Sequence, residues 1–235
     1  VATFADGKIA SKPLDLMPGE AYDAPMKPFG GNEQLSWSPD GNTLAYTCKR
    51  SSGVHYATHT NSDVYLYDTE SKQTFNVSGG MLGYDKDPNF SPDGKYMVWL
   101  SQKTDGNEAD RIRMFLYDRE MKTKIELTEK FDNSVEASCW SSDSKKIYFL
   151  SFINATEQVF VYDFSVTKGS PIRQLTSDIA DFTGMTLAKT ASKKDVMVCA
   201  RMTLSEPTDL FTVDLKSGMS KQITFNNKEV LSTVK

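Results

Sequence analysis

Short runs dominated by Val, Leu, Ile, Tyr, Phe and Trp recur along the chain, separated by clusters of Gly, Pro, Asp, Asn and Ser. Runs of this kind, bounded by turn formers, predict β-strands. Nothing carries the 3.6-residue period of a long amphipathic helix. Three phrases return in fixed order. The first is Trp37-Ser-Pro-Asp-Gly41, repeated as Phe90-Ser-Pro-Asp-Gly94 and, altered, as Trp140-Ser-Ser-Asp-Ser144. Its aromatic residues lie 53 and 50 residues apart. The second is Val64-Tyr-Leu-Tyr-Asp68, which returns as Met114-Phe-Leu-Tyr-Asp118, Val159-Phe-Val-Tyr-Asp163 and Leu210-Phe-Thr-Val-Asp214. The third is an aliphatic residue followed by Ser or Thr: Val77-Ser78, Leu127-Thr128, Leu175-Thr176 and Ile223-Thr224.

Each unit reads as four short strands, here A to D. In the first unit they fall near residues 34–37, 43–49, 63–68 and 73–78. Ser-Pro-Asp-Gly turns A into B: Pro presets φ, Asp favours turn geometry and Gly tolerates a positive φ. Four strands every 45 to 53 residues is the period of a β-propeller blade. The fold class expected is therefore all-β, with blades near 33–80, 86–130, 136–178 and 184–226 forming an incomplete ring. In the fourth unit Ala191-Ser-Lys-Lys-Asp195 replaces the turn phrase. Residues 1–32, with Leu16-Met17 as a leftover of the third phrase, read as the outer strand and loop of a preceding blade. The chain opens on Val1 with no leader pattern, so residue 1 reads as a cut or processing boundary. Open blade edges of such a piece would also allow self-association.

Strand order fixes which loops share a face. The A–B and C–D turns lie on one side of the disc and the B–C and D–A loops on the other. The latter are long in the first two units, at residues 51–62, 102–110, 18–31 and 79–87. Long loops on a rigid scaffold are where function concentrates, so the B–C/D–A face is the expected working face.

Composition narrows the chemistry. The 235 residues carry a net charge of −4 and no basic block, which speaks against nucleic acid as a partner. No apolar run approaches the roughly 20 residues of a membrane-spanning helix. Cys48, Cys139 and Cys199 sit in or beside apolar runs, widely spaced, and read as buried free thiols. The two histidines, His55 and His59, have metal-site spacing on a helix, but the segment reads as a loop and no Glu follows His55. Neither a metal nor a cofactor is expected. There is no Gly-x-Ser-x-Gly and no nucleophile–base pair, so this stretch should not catalyse acyl transfer alone. The polar insertion Asp105-Gly-Asn-Glu-Ala-Asp-Arg111 supplies the candidate binding residues Glu108, Asp110 and Arg111. On composition it is a solvated loop tip. Functionally, a carboxylate there could hold a cation such as a peptide's α-ammonium.

These phrases resemble the propeller of prolyl oligopeptidase-type serine peptidases, nearest to dipeptidyl-peptidase V and acylaminoacyl-peptidase-like enzymes. The resemblance rests on Pro18-Gly-Glu-Ala-Tyr-Asp-Ala-Pro25 with Phe29-Gly-Gly31, on Gly83-Tyr-Asp-Lys-Asp-Pro88, on Trp99-Leu-Ser101 and on the loop at residues 106–111. It implies a seven- or eight-bladed propeller capping a C-terminal α/β-hydrolase domain, which would hold the Ser-Asp-His triad beyond Lys235. The propeller would gate access to short peptides and help bind their N-terminus. Glu108 matches the loop Glu of that motif, and the resemblance carries the amine-anchor role to it. Asn107 stands where the family usually has an aromatic residue. Residues 226–231 look like the family's lead-in to the hydrolase domain. Secretion or periplasmic residence is implied by the resemblance alone. The competing reading is a non-enzymatic TolB-like propeller serving as a protein-binding scaffold. Repeats near 50 residues and one-sided long loops favour the peptidase.

Overall fold

The computed structural model describes residues 1–28, 30–190 and 194–233. Phe29 and Ala191–Lys193, which carried part of the resemblance and the altered turn of the fourth unit, lie outside the described residues. A small hairpin, β1 (Phe4–Ala5) with β2 (Lys8–Ile9), opens the chain. Four antiparallel four-stranded sheets follow in sequence order. The first contains β3 (Leu35–Trp37), β4 (Thr43–Cys48), β5 (Asp63–Asp68) and β6 (Thr74–Asn76). The second contains β7 (Asp85–Phe90), β8 (Tyr96–Ser101), β9 (Arg113–Asp118) and β10 (Thr123–Glu126). The third contains β11 (Ala137–Trp140), β12 (Lys146–Ile153), β13 (Thr156–Asp163) and β14 (Ile172–Gln174). The fourth contains β15 (Asp181–Lys189), β16 (Asp195–Met202), β17 (Asp209–Val213) and β18 (Ser220–Gln222). The first strands touch in series, β3 with β7, β7 with β11 and β11 with β15. These are propeller blades with their A strands innermost, in a ring that is not closed.

The recurring phrases turn out to be hydrogen-bond devices. In the first, the Ser hydroxyl accepts the N–H that opens strand B and donates to the Asp two residues on. Ser38 Oγ accepts from Thr43 N at 2.9 Å and donates to Asp40 at 2.5 Å. Ser91 does the same with Tyr96 N at 2.9 Å and Asp93 at 2.6 Å, and Ser141 with Lys146 N at 2.9 Å and Asp143 at 2.7 Å. Gly41 and Gly94 take φ of +73° and +72°, where a Cβ is unfavourable. The third copy puts Ser144 there at φ +60°, and its hydroxyl accepts Asp93 N–H at 3.0 Å, tying blade three to blade two. The Asp that closes the second phrase caps the C–D turn: Asp68 accepts Ser71 N–H at 2.7 Å and Asp214 accepts Ser217 N–H at 2.7 Å. The Ser or Thr of the third phrase extends pairing past strand D. Its hydroxyl accepts the N–H of Val64, Met114 and Val159 at 2.9 Å and of Leu210 at 2.8 Å.

Apolar side chains on both faces of each sheet meet the neighbouring blades. Ala45, Val64, Leu66, Phe90, Met97 and Trp99 fill the seam between blades one and two. Val98, Leu100, Met114, Trp140, Ile147 and Phe149 fill the next, and Leu150, Val159, Phe182, Met197 and Cys199 the last. Every residue of β4 is buried, which is why its sequence is an unbroken run rather than an alternation. On the other side of blade one, Leu44, Tyr46 and Tyr65 are covered by Val1, Leu16, Met17, Tyr22 and Ala24. Leu16 and Met17 therefore pack as an irregular strap: they lie in a bend and have no strand partner among the described residues. The cysteines are free. Cys48 and Cys199 are fully buried, Cys139 half-buried, and burial raises all three thiols, to about 11 for Cys48 and about 12 for the others.

One carboxyl in the last seam lacks compensation. Glu157 is 9% exposed, and its carboxylate has no hydrogen bond or ion pair among the described residues. Its backbone N–H donates to Asp181 Oδ1 at 2.8 Å. Desolvation, then the nearby Glu136 and Asp181, raise its pKa from 4.5 to about 7. The folded chain thus holds a proton that the unfolded chain releases. Stability is greatest below the unfolded value and is lost as pH rises from 4.5 through about 7. Glu157→Gln should raise the melting temperature at pH 8, with the gain vanishing at pH 4; a gain independent of pH would contradict this. In the turns, Ser91 is fully buried, and Ser91→Ala orphans the Tyr96 N–H. A loss of about 1–3 kcal/mol in urea unfolding is expected, and a change below about 0.5 kcal/mol would remove the hydroxyl's structural role.

Candidate functional site

The B–C loops differ sharply between blades. In blade three the loop is a tight turn through Asn154 and Ala155, both at positive φ. In blades one and two it is long, and these two loops form the candidate site. The first contains a helix, α1 (Gly53–Thr58), where the sequence was read as a loop. Six residues carry too few internal hydrogen bonds to hold a helix in water; tertiary partners hold this one. The Lys49 ammonium donates to the carbonyls of Tyr56 and His59 at its C-terminal end, and the Tyr56 hydroxyl donates to Lys27 O at 3.0 Å. The rings of His55 and His59 stack with centroids 4.6 Å apart. Partial burial lowers the Lys49 pKa.

The second loop is braced from within and from its neighbour. Gln102, almost fully buried, donates through Nε2 to the carbonyls of Glu108 at 2.9 Å and Asp110 at 3.0 Å. The Asp110 carboxylate accepts from Thr104 N at 2.7 Å and from Asn107 Nδ2 at 2.6 Å, and the bonds from Thr104 lead in lowering its pKa. Arg111 turns the other way. Its guanidinium donates to the carbonyls of Thr128, at 2.8 Å, and Phe131, and to Glu126 Oε1 at 3.1 Å. Asp105 reaches across to blade one. One carboxylate oxygen accepts Thr60 N–H at 2.7 Å and Asn61 N–H at 3.0 Å, and the other meets His59 Nδ1. Gly106 N–H returns a bond to Thr60 Oγ1 at 2.8 Å. The histidine contact, followed by the two backbone donors, lowers the Asp105 carboxyl to about 2.

Of the three residues nominated from sequence, Asp110 and Arg111 are thus engaged within the protein, Asp110 inside the loop and Arg111 against the D–A connection of its own blade. Glu108 is different. Its side chain is exposed and makes no hydrogen bond or ion pair among the described residues. Sequence reasoning passed over Asp105, Gln102 and Lys49, the residues that hold the loops. Asp105-Gly106 marks a turn, but nothing local reveals that its partner lies 46 residues upstream. The blade seam adds Asp85, fully buried, which accepts Trp99 Nε1–H at 3.0 Å through Oδ1. Burial raises its pKa to about 6. Among the described residues no group of His, Cys, Asp and Glu is arranged to hold a metal ion, and no helix is long and apolar enough to cross a membrane.

No family profile matches the chain. Among solved structures, TolB from Acinetobacter baumannii superposes with a TM-score of 0.53 at 20% identity, covering 81% of this chain and 43% of that one. A puromycin-hydrolysing peptidase from Mycobacterium tuberculosis gives a TM-score of 0.52 at 10% identity, covering 80% and 37%. TolB and a peptidase are matched alike, so these likenesses establish the β-propeller fold and nothing finer. The sequence is more discriminating. Dipeptidyl-peptidase 5 of Porphyromonas gingivalis is 39% identical over 231 residues, which is 98% of this chain but 32% of that enzyme. The chain spans about a third of the length of the curated relatives it matches. The resemblance read from the repeat phrases and the 106–111 loop is borne out: along almost its whole length this chain is a homologue of dipeptidyl-peptidase 5.

Proposed function

We propose that this chain is the propeller of a serine exopeptidase that releases dipeptides or acyl amino acids, and that Glu108 anchors the substrate's N-terminal ammonium. One observation carries the second half. The carboxylates of Asp105 and Asp110 and the guanidinium of Arg111 are committed to protein groups, and of the loop's carboxylates Glu108 alone is without a protein partner among the described residues. The loop's backbone is pinned at Glu108 by Gln102, so the acceptor is preorganised rather than floppy. A charge-assisted bond from an ammonium to such a carboxylate fixes where a peptide begins. On this reading Asp110 and Arg111 contribute to the substrate site by shaping the loop.

The chemistry itself needs a nucleophile and a base that this stretch lacks. The reading therefore includes an α/β-hydrolase domain in the same polypeptide, with the propeller gating access by peptides of limited length. Secretion or periplasmic residence, implied by the family resemblance, belongs to the same proposal, as does self-association through open blade edges. Glu108→Ala in the full-length protein should raise KM and lower kcat/KM about ten- to hundredfold for substrates with a free N-terminus, leaving N-blocked substrates nearly unchanged. An equal loss on both would remove the anchor role. Absence of any peptidase activity in the full-length protein would instead favour a binding scaffold.

A further inference from the structure

We infer that Asp105 is a positioning residue that acts through Glu108, by clamping the loop of blade two onto the α1 segment of blade one. The inference rests on the amine-anchor reading of Glu108 and adds what sets that anchor's place. Glu108 is fixed relative to its own blade by Gln102, whose amide holds its carbonyl and that of Asp110. Nothing in that brace relates Glu108 to blade one. Asp105, three residues before it, supplies the second reference. Its carboxylate gathers three donors from one short stretch, His59 Nδ1 and the N–H groups of Thr60 and Asn61. The bond from Gly106 N–H to Thr60 Oγ1 runs in the opposite direction and closes the link.

The receiving end is itself built. Lys49 holds the carbonyls of Tyr56 and His59, so the backbone that presents these donors is tied to β4, the fully buried second strand of blade one. A chain of bonds thus runs from the core of blade one through Lys49, the α1 segment and Asp105 to the turn that bears Glu108. It joins the two B–C loops on the face where the substrate would enter. The groups around the Asp105 carboxylate are His59 and the more distant Lys49 ammonium, with His55 stacked on His59. A displacement of about 1 Å in a positioned group is enough to cost binding or rate, so unhooking this link should degrade the anchor without dismantling the loop.

The test is a double-mutant cycle in the full-length protein with paired free and N-blocked peptide substrates. Asp105→Ala should raise KM about three- to tenfold for free N-termini, with kcat and the blocked substrates little changed. Asp105→Asn, which keeps an oxygen for the Thr60 and Asn61 donors, should recover part of that loss. In the Glu108→Ala background, Asp105→Ala should add nothing, since a residue that acts through another has no effect once the other is gone. Equal losses on both substrates, or additive effects in the cycle, would overturn the inference while leaving Glu108 as anchor. If Glu108→Ala alone shows no preference for free N-termini, the anchor reading fails and the positioning role falls with it. Hydrogen exchange then judges the clamp separately. The amides of Thr60, Asn61 and Gly106 should exchange faster in Asp105→Ala, and unchanged protection would show that no clamp exists.

Discussion

A sheet that is apolar on both faces cannot stand in water alone, and the rest of this molecule depends on that constraint. Strand β4 is buried at every position, β8 at all but its first, and β12 and β13 through their central residues. Each blade must therefore be flanked on both sides, and the seams between blades are the core. Wide aromatic residues line the blade faces as stacked cross-strand pairs: Trp99 on Phe115 with centroids 5.3 Å apart, and Phe149 on Phe160 at 5.5 Å. Where the described chain provides no preceding blade, residues 1–24 cover Leu44, Tyr46 and Tyr65 as a strap. Burial of this kind contributes roughly 25 cal/mol per Å² of apolar surface, and it fixes the blades as rigid neighbours.

Rigid seams leave the loops free to differ. Turn phrases on one face are short and repeat because each is a self-contained set of hydrogen bonds. On the other face the first two blades carry insertions that must find partners outside themselves. They find them in one another. The Lys49 ammonium holds the end of α1, and the Asp105 carboxylate bridges from the second loop to the residues just after it. Hydrogen bonds to charged groups are worth more than neutral ones, and they serve here where apolar contact is thin. The result is a loop whose carboxylates are spent on structure, except for that of Glu108 among the described residues.

This division explains what was legible in the sequence. The blades were readable because their signals are local: a Ser and an Asp two residues apart, an Asp opening a turn, a Ser or Thr ending a strand. Strand boundaries for β5, at Asp63–Asp68, could be placed from the phrase alone. The α1 helix was not readable. It lacks a side-chain cap, and its stability comes from Lys49 and Tyr56, whose partners are tertiary. Leu16 and Met17 read as a leftover of the third phrase, and among the described residues they lie in a bend without a strand partner. In the candidate site, the loop was found from its polar composition, whereas the roles within it were not. Asp110 and Arg111 have the chemistry of ligands, and only the fold shows that their hydrogen-bonding capacity is already taken.

The account's central claim is that a substrate's N-terminal ammonium meets Glu108 on a loop held between two blades. A crystal structure of the full-length protein with a dipeptide product tests it most directly. The account predicts the α-ammonium within about 2.7–3.2 Å of the Glu108 carboxylate, with the bonds of Asp105 to Thr60 and Asn61 intact. A dipeptide whose ammonium is held by other groups, with Glu108 facing solvent, would contradict it.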